Sequence, residues 1–371
     1  MKKIIISMMA VAALAACTKS EVQYDTPNEI GFAPVASNVT KSVAGYNGET
    51  FDGVFPTDVD LYVFANAVDG TFSADNEGDA YFQNARFVWD SSKGSEATQT
   101  IGDKSYATTG AYAGNPTRYW PNVKTLVFAG YSDACGVEKN ATMNFATNTL
   151  SIPSYTQDNA TYTAEGTNDL MWFPCDGIAY TKAANEIAAG MKHACSWITI
   201  NVAGDDVTAT YEKTTTDAEG TTTTSTYTGW TLNSLVVKTL KHSGSVVCGA
   251  TTANWTLSST DEGEDEEYYN AGTTFTKDYV KYENAANNFI VLPQEPTALE
   301  VNYTYTSDAA NNLTLTETKS VSLDYDAAGT AWQPGVHYIY NVKITATEIL
   351  IDPVVVDWTE YEDNEIEKEV N

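Results

Sequence analysis

The sequence predicts an all-β protein built as two β-sandwiches in tandem, and three observations carry the prediction. With 371 residues, the chain exceeds the roughly 250 that one core accommodates before splitting. Its composition, 43% hydrophobic with 23 Tyr and 8 Trp, favours residues that fit a half-buried pleated surface. From about residue 58 onward, apolar and polar residues alternate with period two between closely spaced turn residues, the pattern of sandwiches rather than of βαβ units.

Taken in chain order, the first element lies outside the fold. MKKIIISMMAVAALAAC opens with Lys2 and Lys3, continues apolar and ends in small residues before a cysteine, the layout of a signal peptide. Leu14-Ala15-Ala16-Cys17 resembles the bacterial lipobox. Residues 1–16 are therefore expected to be a lipoprotein signal, Cys17 the lipid-bearing first residue of the mature chain, and 17–28 a tether. No other stretch reaches the roughly 20 consecutive apolar residues that cross a bilayer. The expectation is an outer-membrane lipoprotein held through acyl chains on Cys17, palmitate among them, without a span.

The N-terminal sandwich is expected over 29–184, with strands at DLYVFA (60–65) and KTLVFAGYS (124–132). The best helical signal, AANEIAAGMKHA (183–194), is interrupted by Gly190 and runs into a strand, so it reads as a linker or single turn between domains. The C-terminal sandwich is expected over 185–358. In SWITINV (196–202), Ile198, Ile200 and Val202 share a face, and in VHYIYNVKI (336–344) Val336, Tyr338, Tyr340, Val342 and Ile344 do; both read as half-buried antiparallel strands. Further strands are read at WTLNSLVVKTL (230–240), NNFIVLP (287–293), LEVNYTYT (299–306) and NLTLTETKSVSLD (312–324). Threonines alternating about a DAEG turn make 213–228 a projecting hairpin. The last strand is TEILIDPVVVDW (347–358), followed by an acidic tail, 359–371.

A net charge of −29 argues against nucleic acid and anionic membrane surfaces as partners. Beyond Cys17, the cysteines Cys135, Cys175, Cys195 and Cys248 allow three disulfide pairings, but with no CxxC or Cys/His pattern they read as isolated buried thiols. The three histidines, His193, His242 and His337, accompany no nucleophile motif, no HExxH and no phosphate-binding loop. No catalytic residue, metal site or cofactor is expected. The carboxylates of DEGEDEEYY (261–269) match no EF-hand spacing and read as a solvated loop. Trp120, Trp172, Trp230 and Trp255 are available for a sugar-stacking platform, although sandwich aromatics mostly serve the core.

Five segments in order, EIGFAPVASNVTKS (29–42), RYWPNVKTLVFAGYS (118–132), NDLMWFP (168–174), MKHACSWITINV (191–202) and WQPGVHYIYNVKIT (332–345), resemble the fimbrillins and fimbrillin-like lipoproteins of Bacteroidetes type V pili. The resemblance implies two Greek-key sandwiches of the transthyretin-like type and a role as structural or accessory pilus subunit in cell adhesion. It further implies assembly by proteolysis-linked strand exchange with other pilin subunits, self or accessory, at the cell surface. The strand removed would hold Ile30 and Phe32, and the cut would fall between Lys41 and Ser42, since the chain has no arginine before Arg86 where better-known members are cut after arginine. The donor strand would present Ile349 and Ile351 on one face and, past Pro353, Val354, Val356 and Trp358 on a shared face. The same segment equally reads as the ordinary last strand of the second sandwich. An alternative function is a surface lipoprotein that binds a glycan or host ligand and never polymerises.

Overall fold

A computed structural model describes residues 29–36, 59–93, 98–101, 104–107, 110–122, 124–133, 140–157, 169–180, 187–204, 211–274, 277–281, 289–307, 313–326, 329–345 and 349–357. The described residues form strands and no helix. The first are β1 (Gly31–Ala36), β2 (Asp60–Val68), β3 (Asp79–Asp90), β4 (Thr98–Ile101), β5 (Lys104–Ala107) and β6 (Ala111–Gly114). Next come β7 (Thr125–Asp133), β8 (Thr142–Asn144), β9 (Thr149–Thr156), β10 (Leu170–Phe173), β11 (Ile187–His193) and β12 (Ser196–Gly204). They are followed by β13 (Tyr211–Thr216), β14 (Thr222–Tyr227), β15 (Gly229–Leu240), β16 (Ser243–Cys248), β17 (Ala253–Leu257) and β18 (Glu264–Thr274). The last are β19 (Val280–Lys281), β20 (Phe289–Val291), β21 (Ala298–Thr306), β22 (Thr314–Ser322), β23 (Val336–Ile344) and β24 (Ile349–Asp357).

The protein is all-β, as its alternation predicts. The first sheet runs β1-β11-β10-β7-β2-β3-β6 and closes on itself. Its interior holds one apolar cluster that includes Ile30, Phe32, Leu61, Val63, Phe87 and Phe128. The opposite face of the same strands, with Tyr62, Phe64, Tyr131 and Trp172, is also buried, in a second cluster beneath the sheet β17-β16-β9-β8. Burial on both faces explains why β2 is almost continuously apolar instead of alternating. In the covering sheet, β9 pairs with β16 from Ser243↔Thr156 to Cys248↔Leu150, so strands from both halves of the sequence share one ladder.

The third cluster lies between two further sheets, β19-β12-β23-β24 and β18-β15-β21-β22. Tyr338, Tyr340, Val342 and Ile344 of β23 meet Leu299, Val301, Tyr303 and Tyr305 of β21, the faces that period two selects. The indole N–H of Trp332 donates to the Tyr340 hydroxyl at 2.8 Å, fixing the turn that Gly335, at φ 72°, completes before β23. Asp217 and Gly220 close the expected hairpin as β13–β14, with Thr221 N–H donating to Asp217 Oδ1 at 2.7 Å.

Two sequence expectations change. The stretch read as a linker or single turn, 183–194, contributes strand β11, because Ile187, Ala189 and Met191 alternate into the first core while the backbone pairs with β1 and β10. Strands β12 and β23, read as half-buried and antiparallel, pair with each other in parallel from Trp197↔His337 to Gly204↔Ile344. Every residue of β12 is buried: Ile198 and Ile200 enter the third cluster and Trp197 enters the second.

Candidate functional site

Strand β1 is what closes the first sheet. Along one edge it pairs in parallel with β11, from Phe32↔Ile187 to Ala36↔Met191, and along the other it pairs antiparallel with β6 at Gly31↔Ala113 and Phe32↔Tyr112. Just before it, Ile30 N–H donates to the Arg118 carbonyl at 2.8 Å, and Glu29 forms an ion pair with Lys93. Removing these residues leaves a slot walled by the backbones of β6 and β11, with unpaired donors and acceptors along both.

The slot's floor is aromatic. Phe32 is fully buried, with ring centroids 5.0 Å from Phe87, 5.2 Å from Phe128 and 6.0 Å from Phe173; the first two contacts are edge-to-face. Ile30 is buried beside it. Burying two such side chains contributes about 1.5–3 kcal/mol each. The sequence points to Ile30 and Phe32 but not to the three rings around them, which come from strands far apart in the chain and carry no signal beyond being apolar. Cys17, Lys41 and Ser42 lie outside the described residues.

At the other end of the chain, β24 pairs antiparallel with β23 from Ile344↔Ile349 to Val336↔Asp357, and among the described residues nothing pairs with its outer edge. Ile349 and Ile351 pack on the third cluster, half-buried. Val354 lies on the opposite face and is 39% exposed, next to Ile339 in register. The backbone register sets Val356 against His337; Trp358 lies outside the described residues. Pro353, which has no N–H to give a ladder, sits opposite Tyr340 in this edge strand. In this structure the segment is thus the last strand of its own sheet, held by one neighbour.

The remaining candidates are structural. Nδ1 of His193 lies 2.5 Å from Asp169 Oδ2, with both residues buried; burial pushes the Asp169 carboxyl up, against the opposing charge and hydrogen bond of His193. His242 lies 3.1 Å from Glu266. His337 stacks on Trp197 at 3.7 Å and shares a 2.8 Å hydrogen bond with the Thr199 hydroxyl. Trp120, Trp172 and Trp230 are buried, and half-buried Trp255 donates its indole N–H to the Ala194 carbonyl at 2.6 Å. These four indoles form no platform, because the cores take their faces. Cys175, Cys195 and Cys248 are free and buried; burial pushes the Cys175 thiol up to about 11 and that of Cys248 up to about 12. Cys135 lies outside the described residues.

In the acidic stretch 261–269, Asp261 has a structural role. Its Oδ2 accepts from His242 N–H, Ser243 N–H and the Ser243 hydroxyl, and its Oδ1 accepts from Gly263 N–H. Partial burial pushes this carboxyl up, but the four hydrogen bonds outweigh it and hold the pKa below its ordinary value. A carboxyl depressed on folding adds stability above its unfolded pKa, about 3.9, and loses it as pH falls through the folded value. Asp261→Asn should therefore flatten the acid unfolding curve below about pH 4, followed by tryptophan fluorescence; a slope equal to wild type would remove Asp261 from the acid response. Among the described residues, no group of three or more His, Cys, Asp or Glu side chains is placed to hold a metal ion.

The family described as fimbrillin-like matches residues 65–358 of the chain. A fimbrial protein from Bacteroides vulgatus superposes with a TM-score of 0.53 at 13% identity, covering 89% of this chain and 100% of that one, a likeness of fold. A fimbrial assembly protein from Parabacteroides distasonis gives a TM-score of 0.36 at 13% identity over 90% of this chain and 98% of that one. No curated protein matches.

Proposed function

Because the chain belongs to the fimbrillin-like family, we propose that it is a structural or accessory subunit of a type V pilus that serves cell adhesion. On this reading it is exported as a lipoprotein, held at the outer membrane through Cys17, and matured by a cut between Lys41 and Ser42. The cut lets β1 leave the first sheet, and a terminal strand of another subunit takes its place. The observation that carries the reading is the double pairing of β1, which makes one short strand the closure of an entire sheet.

Strand replacement suits this site physically. Backbone groups of β6 and β11 supply a uniform ladder for any incoming strand, and the aromatic floor supplies the register by accepting side chains two residues apart. Open edges on β6 and β11 are an aggregation hazard, so a closed precursor released only by proteolysis is the arrangement that keeps the subunit monomeric in transit. Strand β24 suits the donor role in that a single neighbour holds it and its outer edge is open among the described residues. The glycan-binding alternative loses its platform with the burial of Trp120, Trp172 and Trp230.

The test is the N-terminal residue of the protein on cells. Ser42 is expected in the assembled form, and lipid-modified Cys17 in the precursor. Recovery of polymer whose subunits all begin at Cys17 would refute the cut.

A further inference from the structure

A cavity of about 210 Å³ adjoins the slot of Phe32. Its floor is Phe128, Phe173 and Ile187, all buried. The two rings are those that touch Phe32, and Ile187 is the residue opposite Phe32 in the β1–β11 register. The rim carries charge: Asp176 is exposed and Lys192 half-buried. Strand geometry accounts for the void. β10 ends at Phe173 after pairing with Lys192 and His193, so among the described residues β11 from 187 to 190 is paired only by β1. Gly190 borders the cavity through its backbone, because the side chains of β11 that face the core are Ile187, Ala189 and Met191.

Resting on the strand-exchange reading, we propose that this cavity seats one bulky side chain of the incoming strand, the indole of Trp358 from a second copy of this chain. Spacing is the first argument. On a strand following the path of β1, residues two apart face the core, so Val354 and Val356 in the places of Ile30 and Phe32 bring Trp358 to the place of Pro34. Pro34 lies opposite Ala189, whose methyl group is all that β11 places in the core between Ile187 and Met191, so an indole there can pass beneath β11 to the cavity. Valine in place of Phe32 frees further space over Phe128 and Phe173.

Size and chemistry point the same way. An apolar cavity of about 150 Å³ suffices for a benzene ring, so about 210 Å³ suits a larger one. An indole is apolar over its body and has one polar N–H that seeks a partner. Asp176 offers it an acceptor: its Oδ1 takes Ile178 N–H at 2.8 Å and its Oδ2 takes the Tyr180 hydroxyl at 2.7 Å, leaving lone pairs on both oxygens. The Lys192 ammonium adds a cation at the same rim. In sequence Trp358 follows directly on Asp357, the last residue of an edge strand whose Val354 and Val355 are already exposed.

The experiment uses the full chain cut after Lys41 and a fluorescent peptide of residues 349–358, ILIDPVVVDW, read by anisotropy. The peptide should bind; its Trp358→Ala version should bind about tenfold more weakly or worse. Ile187→Phe in the protein enlarges a core-facing residue of the cavity floor and fills part of the void. It should weaken the tryptophan peptide by a similar factor and leave the alanine peptide unchanged. Equal binding of the two peptides, or no effect of Ile187→Phe, overturns the cavity assignment while strand exchange stands. Failure of both peptides to bind the cut protein overturns strand exchange itself.

Discussion

Phe32→Ala should destabilise the uncut precursor by about 3–5 kcal/mol, the range for emptying a fully buried phenylalanine site. The loss has two parts: apolar area returned to water, and a hole among Phe87, Phe128 and Phe173 that the sheet cannot collapse to fill, because β6 and β11 fix its walls. Urea unfolding of precursor and variant measures the difference as a shift of the midpoint with the slope unchanged. A shift equivalent to less than about 1 kcal/mol would mean that β1 is not what holds the first sheet closed. The same substitution should make β1 easier to displace, so that after the cut at Lys41 the fragment carrying it leaves sooner than in wild type.

Asp169→Ala is expected to cost about 1–3 kcal/mol, by taking from buried His193 the carboxyl group that its Nδ1 contacts. The pair sits where β10 hands over to β11, with Met171 opposite His193 in register, and so supports the strand that flanks β1. Thermal or denaturant unfolding checks it. Asp169→Asn, which keeps a hydrogen-bonding side chain of the same shape, should recover part of the loss. If alanine and asparagine variants were both as stable as wild type, the pair would have no structural weight.

These two sites differ in how far the sequence announces them. Ile30 and Phe32 stand two apart in EIGFAP, the segment that the resemblance to the fimbrillins marks as an opening strand. What they pack against is not readable, because Phe87, Phe128 and Phe173 belong to β3, β7 and β10 and meet only through the order of the sheet. Strands with one buried face, such as LEVNYTYT, are legible from alternation, and β21 follows it residue by residue. Strand β2, buried on both faces, loses the alternation and with it the sign of its neighbours, whereas β12 keeps it and so reads as half-buried, although Thr199 and Asn201 on its polar face are buried against His337 and Asn341. Strand β11 is hidden for a different reason: Ala, Gly and Met at 188–191 have weak strand preference, and the pairing with β1 and β10 decides their conformation. The ladder between β9 and β16 joins segments about 90 residues apart in sequence, a distance over which local pattern carries no information.

The C-terminal segment shows what alternation leaves open. Ile349, Ile351 and Val354 fall on the faces that period two assigns, Ile349 and Ile351 inward and Val354 outward. Whether the strand stays there or serves another subunit is a question of relative free energy between two ladders. In its own sheet it has one partner strand, β23, whereas in the slot of β1 it would have two, β6 and β11.

The most direct test of the account is limited cleavage of purified precursor after Lys41, followed by the mass of the product in solution. The predicted result is a clean cut, departure of the fragment that carries Ile30 and Phe32, and a ladder of oligomers. A clean cut that leaves a monomer with β1 still in place, even at high concentration and long incubation, would contradict it.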